Sequence, residues 1–251
     1  MPLILGRNRP NGAIGVWQIT EDETALSTLA SAVEEDEKVV RTFKNESRRK
    51  QWYACRALLR QMLSFDEVKV DYDMHGRPSL RGFKGDISFS HTQDYAAVIL
   101  NKVGRAGIDI EKINPRIHRV ADRFLQDEEL EHVSRIARNE ERGTCHQSPT
   151  NSNQQPTTNP QPPIPNPQPP IPNPQSPTTE LLYLYWCAKE ALYKFYGNPS
   201  VDLKNDIYII AFDYFCNPNA AFTSRVKSSE GIREHELLSV RIGDHMLVYT
   251  L

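Results

Sequence analysis

The stretch at residues 107–111 reads GIDIE, an alternation of apolar and acidic side chains. Successive side chains of a β-strand point to opposite faces, so Ile108 and Ile110 share one face while Asp109 and Glu111 share the other. Carboxylates two residues apart on a strand lie roughly 6 to 7 Å from each other and point the same way. The stretch therefore predicts a strand with an apolar face and an acidic face, although a plain solvent-facing strand would alternate in the same way.

The surroundings of this strand predict a helix followed by a meander of antiparallel strands. Apolar and basic residues at helical spacing predict a cationic amphipathic helix at 46–64. Short alternating runs then follow at 68–72, 86–91, 95–101 and 106–111, with turn signals at 75–76, 92–94 and 103–104. Strands this close in sequence pair antiparallel. A further helix is predicted at about 120–137.

The C-terminal part of the chain repeats this order. Residues 180–196 predict a strong helix, with Thr179 placed to cap it and Gly197 placed to end it. Apolar runs follow at 206–214, 221–227, 236–242 and 246–251, and the last two are joined by a tight turn at 243–244. We therefore expect an α+β fold of two similar halves, each a helix packed on an antiparallel strand meander, with the active site in the cleft between them.

A region of biased composition separates these two parts. Residues 144–179 contain no Asp, Glu, Lys or Arg, hold twelve of the 18 prolines and repeat the heptad PPIPNPQ at 162–168 and 169–175. Such a stretch buries too little apolar surface to offset the entropy of ordering it. It predicts a disordered insertion in preference to a docking ligand for an SH3-like domain, because no basic residue flanks its P-x-x-P motifs. The predicted division is an N-terminal half at 1–105, the start of a C-terminal half at 106–143, the insertion at 144–179 and the remainder of the C-terminal half at 180–251.

Composition argues against several classes of protein. The chain carries 30 Lys and Arg against 32 Asp and Glu, and a net charge of −2 does not suit a protein held to nucleic acid by bulk positive potential. Its four cysteines are widely spaced without a C-x-x-C pair, which suggests neither a zinc site nor a disulfide framework and favours a reduced, cytoplasmic environment. Apolar runs fall far short of the ~20 residues of a membrane span, so we expect neither an export signal nor a membrane anchor.

A second pattern of acidic and basic residues lies on the helix predicted at 180–196, where residues 186–194 read WCAKEALYK. Trp186, Glu190 and Lys194 stand four residues apart and share roughly one helix face. Glu190 could supply a third carboxylate or a base, and Lys189 and Lys194 could neutralise phosphate oxygens. The structural alternative is a surface ion pair between Glu190 and Lys194 beside a core tryptophan.

Two shorter segments add residues with chemical potential. Residues 75–78 read HGRP, a turn in which Gly76 permits close approach of a ligand and Arg77 offers a planar cation. Ser90 and His91 end a predicted strand. Each of these residues, taken alone, is as consistent with an ordinary exposed turn or strand end as with a binding site.

Taken in this order, the segments resemble the 4′-phosphopantetheinyl transferase superfamily, in the monomeric, two-halved type that activates surfactin-like peptide synthetases. The resemblance covers nearly the whole chain and rests on four motifs, which are GRP at 76–78, SFSH at 88–91, GIDIE at 107–111 and WCAKEALYK at 186–194. The chain departs from the family pattern at Arg77, where lysine is usual, and at Ser88, where asparagine is usual. Both replacements keep charge or hydrogen-bonding capacity.

The resemblance implies an enzyme that transfers 4′-phosphopantetheine from coenzyme A to a serine of an acyl, peptidyl or aryl carrier protein and releases adenosine 3′,5′-bisphosphate. It implies a Mg²⁺ ion held by Asp109, Glu111 and Glu190. Residues that would bind coenzyme A are Lys194 and Lys189 at phosphate oxygens, and Gly76, Arg77, Pro78, Ser90 and His91 at the adenosine end with its 3′-phosphate. Weaker candidates for that phosphate are Arg49, Arg56 and Lys38.

The resemblance leaves the proton acceptor between Glu190 and Glu129, the latter matching an acidic family position. The implied partners are coenzyme A and an apo carrier protein, without nucleic acid or membrane, and the expected state is a monomer with pseudo-twofold symmetry. Two rival functions stay open at this point. One is a carrier-binding module that has lost its chemistry, and the other is a different Mg²⁺-dependent phosphotransferase or nuclease using the same acidic cluster.

Overall fold

Two antiparallel sheets, each covered by a long helix, form the framework of the chain. The computed structural model describes residues 3–64, 68–141, 176–197, 201–214 and 219–251. Its helices are α1 (Glu23–Ala30), α2 (Glu34–Val40), α3 (Glu46–Leu63), α4 (Ala121–Phe124), α5 (Asp127–Glu141) and α6 (Pro177–Tyr196). Its strands are β1 (Leu3–Arg9), β2 (Gly12–Gln18), β3 (Val70–Tyr72), β4 (Pro78–Leu80), β5 (Asp86–His91), β6 (Tyr95–Asn101), β7 (Ile108–Lys112), β8 (Ile207–Ile209), β9 (Ala221–Ser228), β10 (Gly231–Ile242) and β11 (His245–Thr250). The predicted α+β class with antiparallel sheets is confirmed.

The strand order shows where the chain passes from one sheet to the other. The first sheet has the order β1-β2-β6-β5 and the second has the order β7-β11-β10-β9-β8, while β3 and β4 form a separate hairpin. The expected pairing of β5 with β6 is confirmed, but β6 does not pair with β7 as a continuous meander requires. The hairpin of β1 and β2, which the sequence did not predict, occupies the other edge of β6. Strand β7 therefore pairs with the C-terminal strand β11.

Helix α3 forms almost as predicted because its first turn is capped and one of its faces is apolar. The Asn45 side chain accepts a hydrogen bond from the Ser47 N–H, which satisfies one of the unpaired donors of the first turn. Leu58 and Leu59 are fully buried in the cluster that packs α3 on the first sheet. The predicted strand that follows is shorter than expected and becomes β3.

Helix α6 begins three residues earlier than predicted. Pro177 stands in the first turn, where its missing N–H has no partner to lose, and Ser176 Oγ accepts a hydrogen bond from the Thr179 N–H at 3.1 Å. Residues 176–179 therefore belong to a helix and its cap, although the sequence placed them in the insertion, and Ser176 replaces Thr179 as the cap. The end at Gly197 is confirmed, with a left-handed φ of 57° that favours glycine.

The helix predicted at about 120–137 is interrupted. A 3-10 turn at Pro115–Arg119 leads into α4, and α5 is a separate helix. Between them the backbone of Leu125 is extended, and the Gln126 N–H donates to Glu129 Oε2 at 2.8 Å. A side-chain acceptor takes the place of a backbone carbonyl here, which ends one helix and starts the next. The strand predicted at 206–214 is likewise reduced to β8.

Three further predictions concern the insertion, the cysteines and membranes. Residues 142–175, most of the predicted insertion, lie outside the described residues, as do Cys145 and Cys216. Cys55 and Cys187 are buried and free. None of the described helices is long and apolar enough to cross a membrane.

Apolar packing decides which way the GIDIE strand faces. One cluster packs α3 on the first sheet, a second packs α5 and α6 on the second sheet, and a third lies between the sheets. Ile108 and Ile110 are fully buried in this third cluster. Asp109 and Glu111 alternate with them and therefore face α6. Gly107 permits the close approach of that helix, because a Cβ at this position would lie 2.0 Å from the Ala191 carbonyl oxygen.

Candidate functional site

A cavity of about 340 Å³ opens between α3, the β3–β4 hairpin, the end of β5 and the end of α6. A volume of this order is typical of small-molecule sites. Its wall includes four cations, which are Arg48, Arg56, Arg77 and Lys194. No Asp or Glu is among the described residues of the wall. The remainder of the wall includes the rings of Trp52, Tyr72, Phe89 and Tyr193. The cavity therefore suits a ligand that combines negative charge with a flat ring.

Arg56 is the most enclosed cation of the cavity wall, at 5% exposure. Its guanidinium stacks 3.2 Å from the centroid of the Trp52 ring and makes long hydrogen bonds of 3.4 Å to the Trp52 carbonyl oxygen and the Tyr72 hydroxyl. Within the part of the chain that the structure describes, no carboxylate pairs with it. Burying a cation without an anion is unfavourable. Arg56 is therefore a strong candidate to meet an anion that enters the cavity.

Arg48 and His91 lie against each other in another part of the cavity wall. Arg48 Nη1 lies against His91 Nε2, and because a guanidinium only donates hydrogen bonds, the imidazole must accept and be neutral. Burial and the charges of Arg48 and Lys194 lower the pKa of His91 to about 4. An anion bound here would offset those charges and raise the pKa of His91 again.

Arg77, which also lines the cavity, pairs with the acidic side chain of Asp86. Its Nη2 pairs with Asp86 Oδ2, and its Nη1 donates to the Tyr196 carbonyl oxygen at 3.4 Å. The same Asp86 oxygen accepts the Ala106 N–H at 2.7 Å. A Cβ at Gly197 would lie 2.8 Å from Arg77 Nη1, so the Arg77 side chain packs closely against the residue that ends α6. Arg77 thus presents a cation whose charge is already partly neutralised.

The predicted carboxylates lie beside the cavity, where Lys194 reaches Asp109. Asp109 is 3% exposed, and its Oδ1 accepts hydrogen bonds from Lys194 Nζ at 2.6 Å and from Ser90 Oγ at 2.8 Å. Its Oδ2 is buried and has no hydrogen-bond partner among the described residues. The neighbouring Cys187 thiol donates to the Met246 carbonyl oxygen at 3.5 Å and also lies beside Asp109. Burial, reinforced by the charge of Asp109, raises the pKa of this thiol.

Glu111 and Glu190 join Asp109 electrostatically. Burial, reinforced by the charge of Asp109, raises the pKa of Glu111 to about 7, although a hydrogen bond from Trp186 and the charge of Lys194 offset part of the shift. Burial and the charge of Asp109 also raise the pKa of Glu190. Lys194 therefore offsets part of the charge of three buried or half-buried carboxylates, which repel one another.

The chemistry of this cluster fits a divalent cation. Carboxylate oxygens are the ligands that Mg²⁺ prefers, and it commonly takes only a few of them from the protein. Burial is the main cause of the raised pKa values of Glu111 and Glu190, and the charge of Asp109 adds to both shifts, so three acids interact around the single cation Lys194. In the positions that the structure gives them, the three carboxylates do not meet closely enough to hold a metal ion by themselves. No group of three His, Cys, Asp or Glu residues within the described ranges does so.

Glu129 and Lys189 form a separate pair that the structure does not bring to the cavity. Both side chains are fully buried, and Lys189 Nζ donates to Glu129 Oε2 and to the Ile207 carbonyl oxygen, each at 2.7 Å. Glu129 also accepts the backbone N–H groups of Gln126 and Ile209, each at 2.8 Å. Burial raises the pKa of Glu129 and lowers that of Lys189, and the charge of each offsets the shift of the other.

This placement does not support two predicted roles. Lys189 was expected to hold phosphate oxygens and Glu129 to be a possible proton acceptor. Neither residue lines the cavity, and each would have to leave the buried pair to meet a ligand there.

The weaker phosphate candidates are also placed elsewhere, with one exception. Arg49 Nε pairs with Glu23 at 2.8 Å, and Lys38 pairs with Glu34 at 3.0 Å on the exposed side of α2. Neither lines the cavity, whereas Arg56 does. The arginine that sequence reasoning missed is Arg48. Helical spacing carried the signal, because Arg48 stands four residues before Trp52 and eight before Arg56 and so shares their face.

No protein-family model matches the chain, and neither does any curated protein. Membership of the transferase superfamily therefore stays a prediction from four motifs. Of the residues those motifs contain, Gly76, Arg77, Pro78, His91 and Lys194 line one cavity, while Asp109, Glu111 and Glu190 lie beside it.

Proposed function

We propose that this chain transfers the 4′-phosphopantetheine group of coenzyme A to a serine hydroxyl of an apo carrier protein. One observation carries the proposal: a cavity with four cations in its wall adjoins three crowded carboxylates, and Lys194 belongs to both. Coenzyme A has the complementary pattern, since its adenosine carries a 3′-phosphate on one side and a pyrophosphate on the other. The order and spacing of the four sequence motifs support the same conclusion.

The adenosine end would lie in the cavity. Arg48 and Arg56 are the side chains best placed to receive the 3′-phosphate, because no described carboxylate neutralises either of them. His91 interacts with both Arg48 and Asp109 and would become a hydrogen-bond donor once a bound phosphate raised its pKa. Arg77, already paired with Asp86, would shape the wall and contribute less charge.

The pyrophosphate would lie at Lys194, between the cavity and the carboxylates. Asp109, Glu111 and Glu190 would hold Mg²⁺. The bound ion would neutralise the negative charge of the pyrophosphate oxygens. Lys194 would add a second positive charge where the leaving phosphate gains negative charge, which is where such a contact accelerates a phosphoryl transfer most.

The chemical step is a substitution at phosphorus. The serine oxygen of the carrier protein forms a bond to the phosphorus that bears pantetheine. The bond from that phosphorus to the bridging oxygen breaks, and its electron pair leaves with adenosine 3′,5′-bisphosphate. The serine proton passes to a base, for which we propose Glu190, directly or through water. The other candidate base, Glu129, is enclosed in its pair with Lys189.

The fold offers a place for this reaction if its two sheets are the two halves expected from the sequence. The first sheet with α3 and the second sheet with α6 would be the similar units, and the cavity between α3 and α6 would be part of the cleft. The carrier protein would approach the pantetheine side of this cleft.

The test is transfer itself. The full chain is incubated with coenzyme A, Mg²⁺ and a panel of apo carrier proteins, and the intact mass of each carrier is measured. We expect a gain of one phosphopantetheine group on at least one carrier, which disappears when the metal is chelated. Carriers whose acceptor serine is replaced by alanine are the matched control.

Other outcomes separate the rival functions. Binding of coenzyme A or of a carrier without any mass gain across the panel would point to a module without catalytic activity. Cleavage of coenzyme A or of nucleic acid in the absence of a carrier would point to a hydrolase with the same acidic cluster. Either result would overturn the proposal.

A further inference from the structure

A single hydroxyl connects the two sheets at the carboxylate cluster. Ser90, near the end of β5, is 7% exposed. Its Oγ lies 2.8 Å from Asp109 Oδ1 and 3.2 Å from the Ile110 backbone nitrogen, both on β7. An ionised carboxylate cannot donate, so the hydroxyl hydrogen goes to Asp109 and the hydroxyl oxygen accepts the Ile110 N–H. The Ser90 hydroxyl therefore donates a hydrogen bond to one residue of the other sheet and accepts a hydrogen bond from the next.

This contact stands where a strand pairing is missing. Strand β5 is an edge of the first sheet and β7 is an edge of the second, and they are not hydrogen-bonded neighbours in either sheet. On its other side β7 pairs with β11, with Asp109 opposite Val248 and Ile110 opposite Leu247. The Ile110 N–H points away from β11, and Ser90 supplies the acceptor that a neighbouring strand would otherwise provide.

The position of Ser90 differs from that of its neighbours in sequence. Ser88, Phe89 and His91 line the cavity, whereas Ser90 is not among the described residues of its wall. The sequence motif implied that Ser90 meets the 3′-phosphate of coenzyme A. To do so it would have to release Asp109 and leave a buried N–H without a partner, which is unfavourable.

We infer that Ser90 is a positioning residue for Asp109 and not a ligand of coenzyme A. Ser90 and Lys194 both bind Oδ1, so the orientation of the carboxylate that would hold the cation depends on this hydroxyl. The same hydroxyl fixes β7 to β5, so the cation ligands keep their distance from the cavity wall on β5. This inference rests on the proposed function, because it assigns Ser90 a role toward the proposed Mg²⁺.

Ser90→Ala removes the hydroxyl, and Ser224→Ala is the matched control. Ser224 is also a fully buried serine on a strand, and its hydroxyl donates only to the His235 carbonyl oxygen at 3.3 Å, away from the cavity. Mn²⁺, a paramagnetic substitute for Mg²⁺, is titrated against each full-length variant by electron paramagnetic resonance. Coenzyme A affinity without metal is measured by calorimetry, and amide exchange at Ile110 is measured by hydrogen–deuterium exchange.

The inference predicts a specific combination of results. Ser90→Ala should bind Mn²⁺ about tenfold more weakly, the usual size of losing a group that orients a metal ligand. Its affinity for metal-free coenzyme A should stay within about twofold of the wild type, and the Ile110 amide should exchange faster. Ser224→Ala should change none of the three. If Ser90→Ala fails to fold, Ser90→Cys, which keeps the size but is a weak donor, serves in the same comparison.

Two results would overturn the inference while leaving the proposed function intact. Weaker binding of coenzyme A with unchanged Mn²⁺ affinity would make Ser90 a phosphate ligand. Faster exchange at Ile110 with both affinities unchanged would leave Ser90 a structural link only. If the wild type bound neither coenzyme A nor Mn²⁺, the proposed function would fail as well, and that outcome is separated from the others by the wild-type titrations.

Discussion

Helix α6 carries two lysines, five residues apart, in contrasting surroundings. Lys189 is fully buried and faces one carboxylate, Glu129, whose remaining capacity is filled by backbone N–H groups. Lys194 is partly exposed at the cavity and faces Asp109, with Glu111 and Glu190 close enough to perturb one another. Around Lys189 one lysine pairs with one carboxylate, whereas around Lys194 one lysine lies near three carboxylates.

The difference separates a structural ion pair from a site that requires a ligand. A buried pair whose polar atoms are hydrogen-bonded gains little from a further cation. The region around Lys194 has an unpartnered carboxylate oxygen and an adjoining cationic cavity, and the charge of Asp109 adds to the effect of burial on the pKa values of Glu111 and Glu190. Perturbed groups of this kind cluster at functional sites.

The first prediction concerns the balanced region. Lys189→Ala should lower the free energy of unfolding by about 3–5 kcal/mol, because it leaves Glu129 buried without its cation. Denaturant unfolding measures the change. Glu129→Gln combined with Lys189→Met should recover much of the loss, since the amide can still accept the backbone N–H groups.

A surface pair provides the scale for that measurement. Arg225 pairs with Glu234 at 3.0 Å, and both side chains are about half exposed. Arg225→Ala should cost less than about 1 kcal/mol. An equally small loss for Lys189→Ala would show that the buried pair does not support the fold as described.

The second prediction moves to the region with excess acid. Asp109→Asn should lower transfer activity by more than a hundredfold, or about 3 kcal/mol, because the group that would hold the metal loses its charge. Its stability should change by less than about 1 kcal/mol, since the loss of the Lys194 pair is offset by reduced repulsion from Glu111 and Glu190. Carrier mass gain and thermal unfolding are measured on the same preparation. Full activity in Asp109→Asn would remove Asp109 from the site.

The third prediction applies the same contrast to two adjacent arginines of α3. Arg48 lines the cavity beside His91, whereas Arg49 is paired with Glu23. Arg48→Ala should raise the KM for coenzyme A about tenfold to a hundredfold, the size of a charge-assisted contact to phosphate, and should discriminate less against 3′-dephospho-coenzyme A. Arg49→Ala should leave the KM within about twofold. Equal effects of the two variants would show that bulk charge, not position, sets the affinity.

The contrast between Lys189 and Lys194 also shows what sequence reasoning can reach. The GIDIE strand, α3, the end of α6 and the α+β class follow from local periodicity and capping, which depend on residues near in sequence. The alternation in GIDIE also assigned Asp109 and Glu111 to one face correctly. The local pattern could not show that Lys189 is buried in an ion pair, because its partner Glu129 lies on another helix, on the other side of the insertion in sequence.

Tertiary pairing explains the other errors. The N-terminal hairpin takes the edge of β6, so the meander breaks and β7 crosses to β11, a partner more than 130 residues away in sequence. Helical spacing places Arg48 on the face of Trp52 and Arg56, but only the position of Glu23 shows that Arg49 is the arginine paired with an acid. Which charges are neutralised within the protein depends on such long-range contacts.

The last and smallest effect tests the excess of acid through its pH dependence. Glu111 has a pKa of about 7 in the folded chain against an ordinary value of 4.5. The unfolded chain therefore releases this proton at lower pH, so the contribution of Glu111 to stability is greatest below pH 4.5 and is lost as the pH rises through 7. The free energy of unfolding of the wild type should fall over this range relative to that of Glu111→Gln. Saturating Mg²⁺ should reduce the difference between the two proteins, because a bound cation stabilises the ionised carboxylate. If the difference in the free energy of unfolding between the two proteins changed with neither pH nor Mg²⁺, Glu111 would carry no excess charge and the two regions of α6 would be alike.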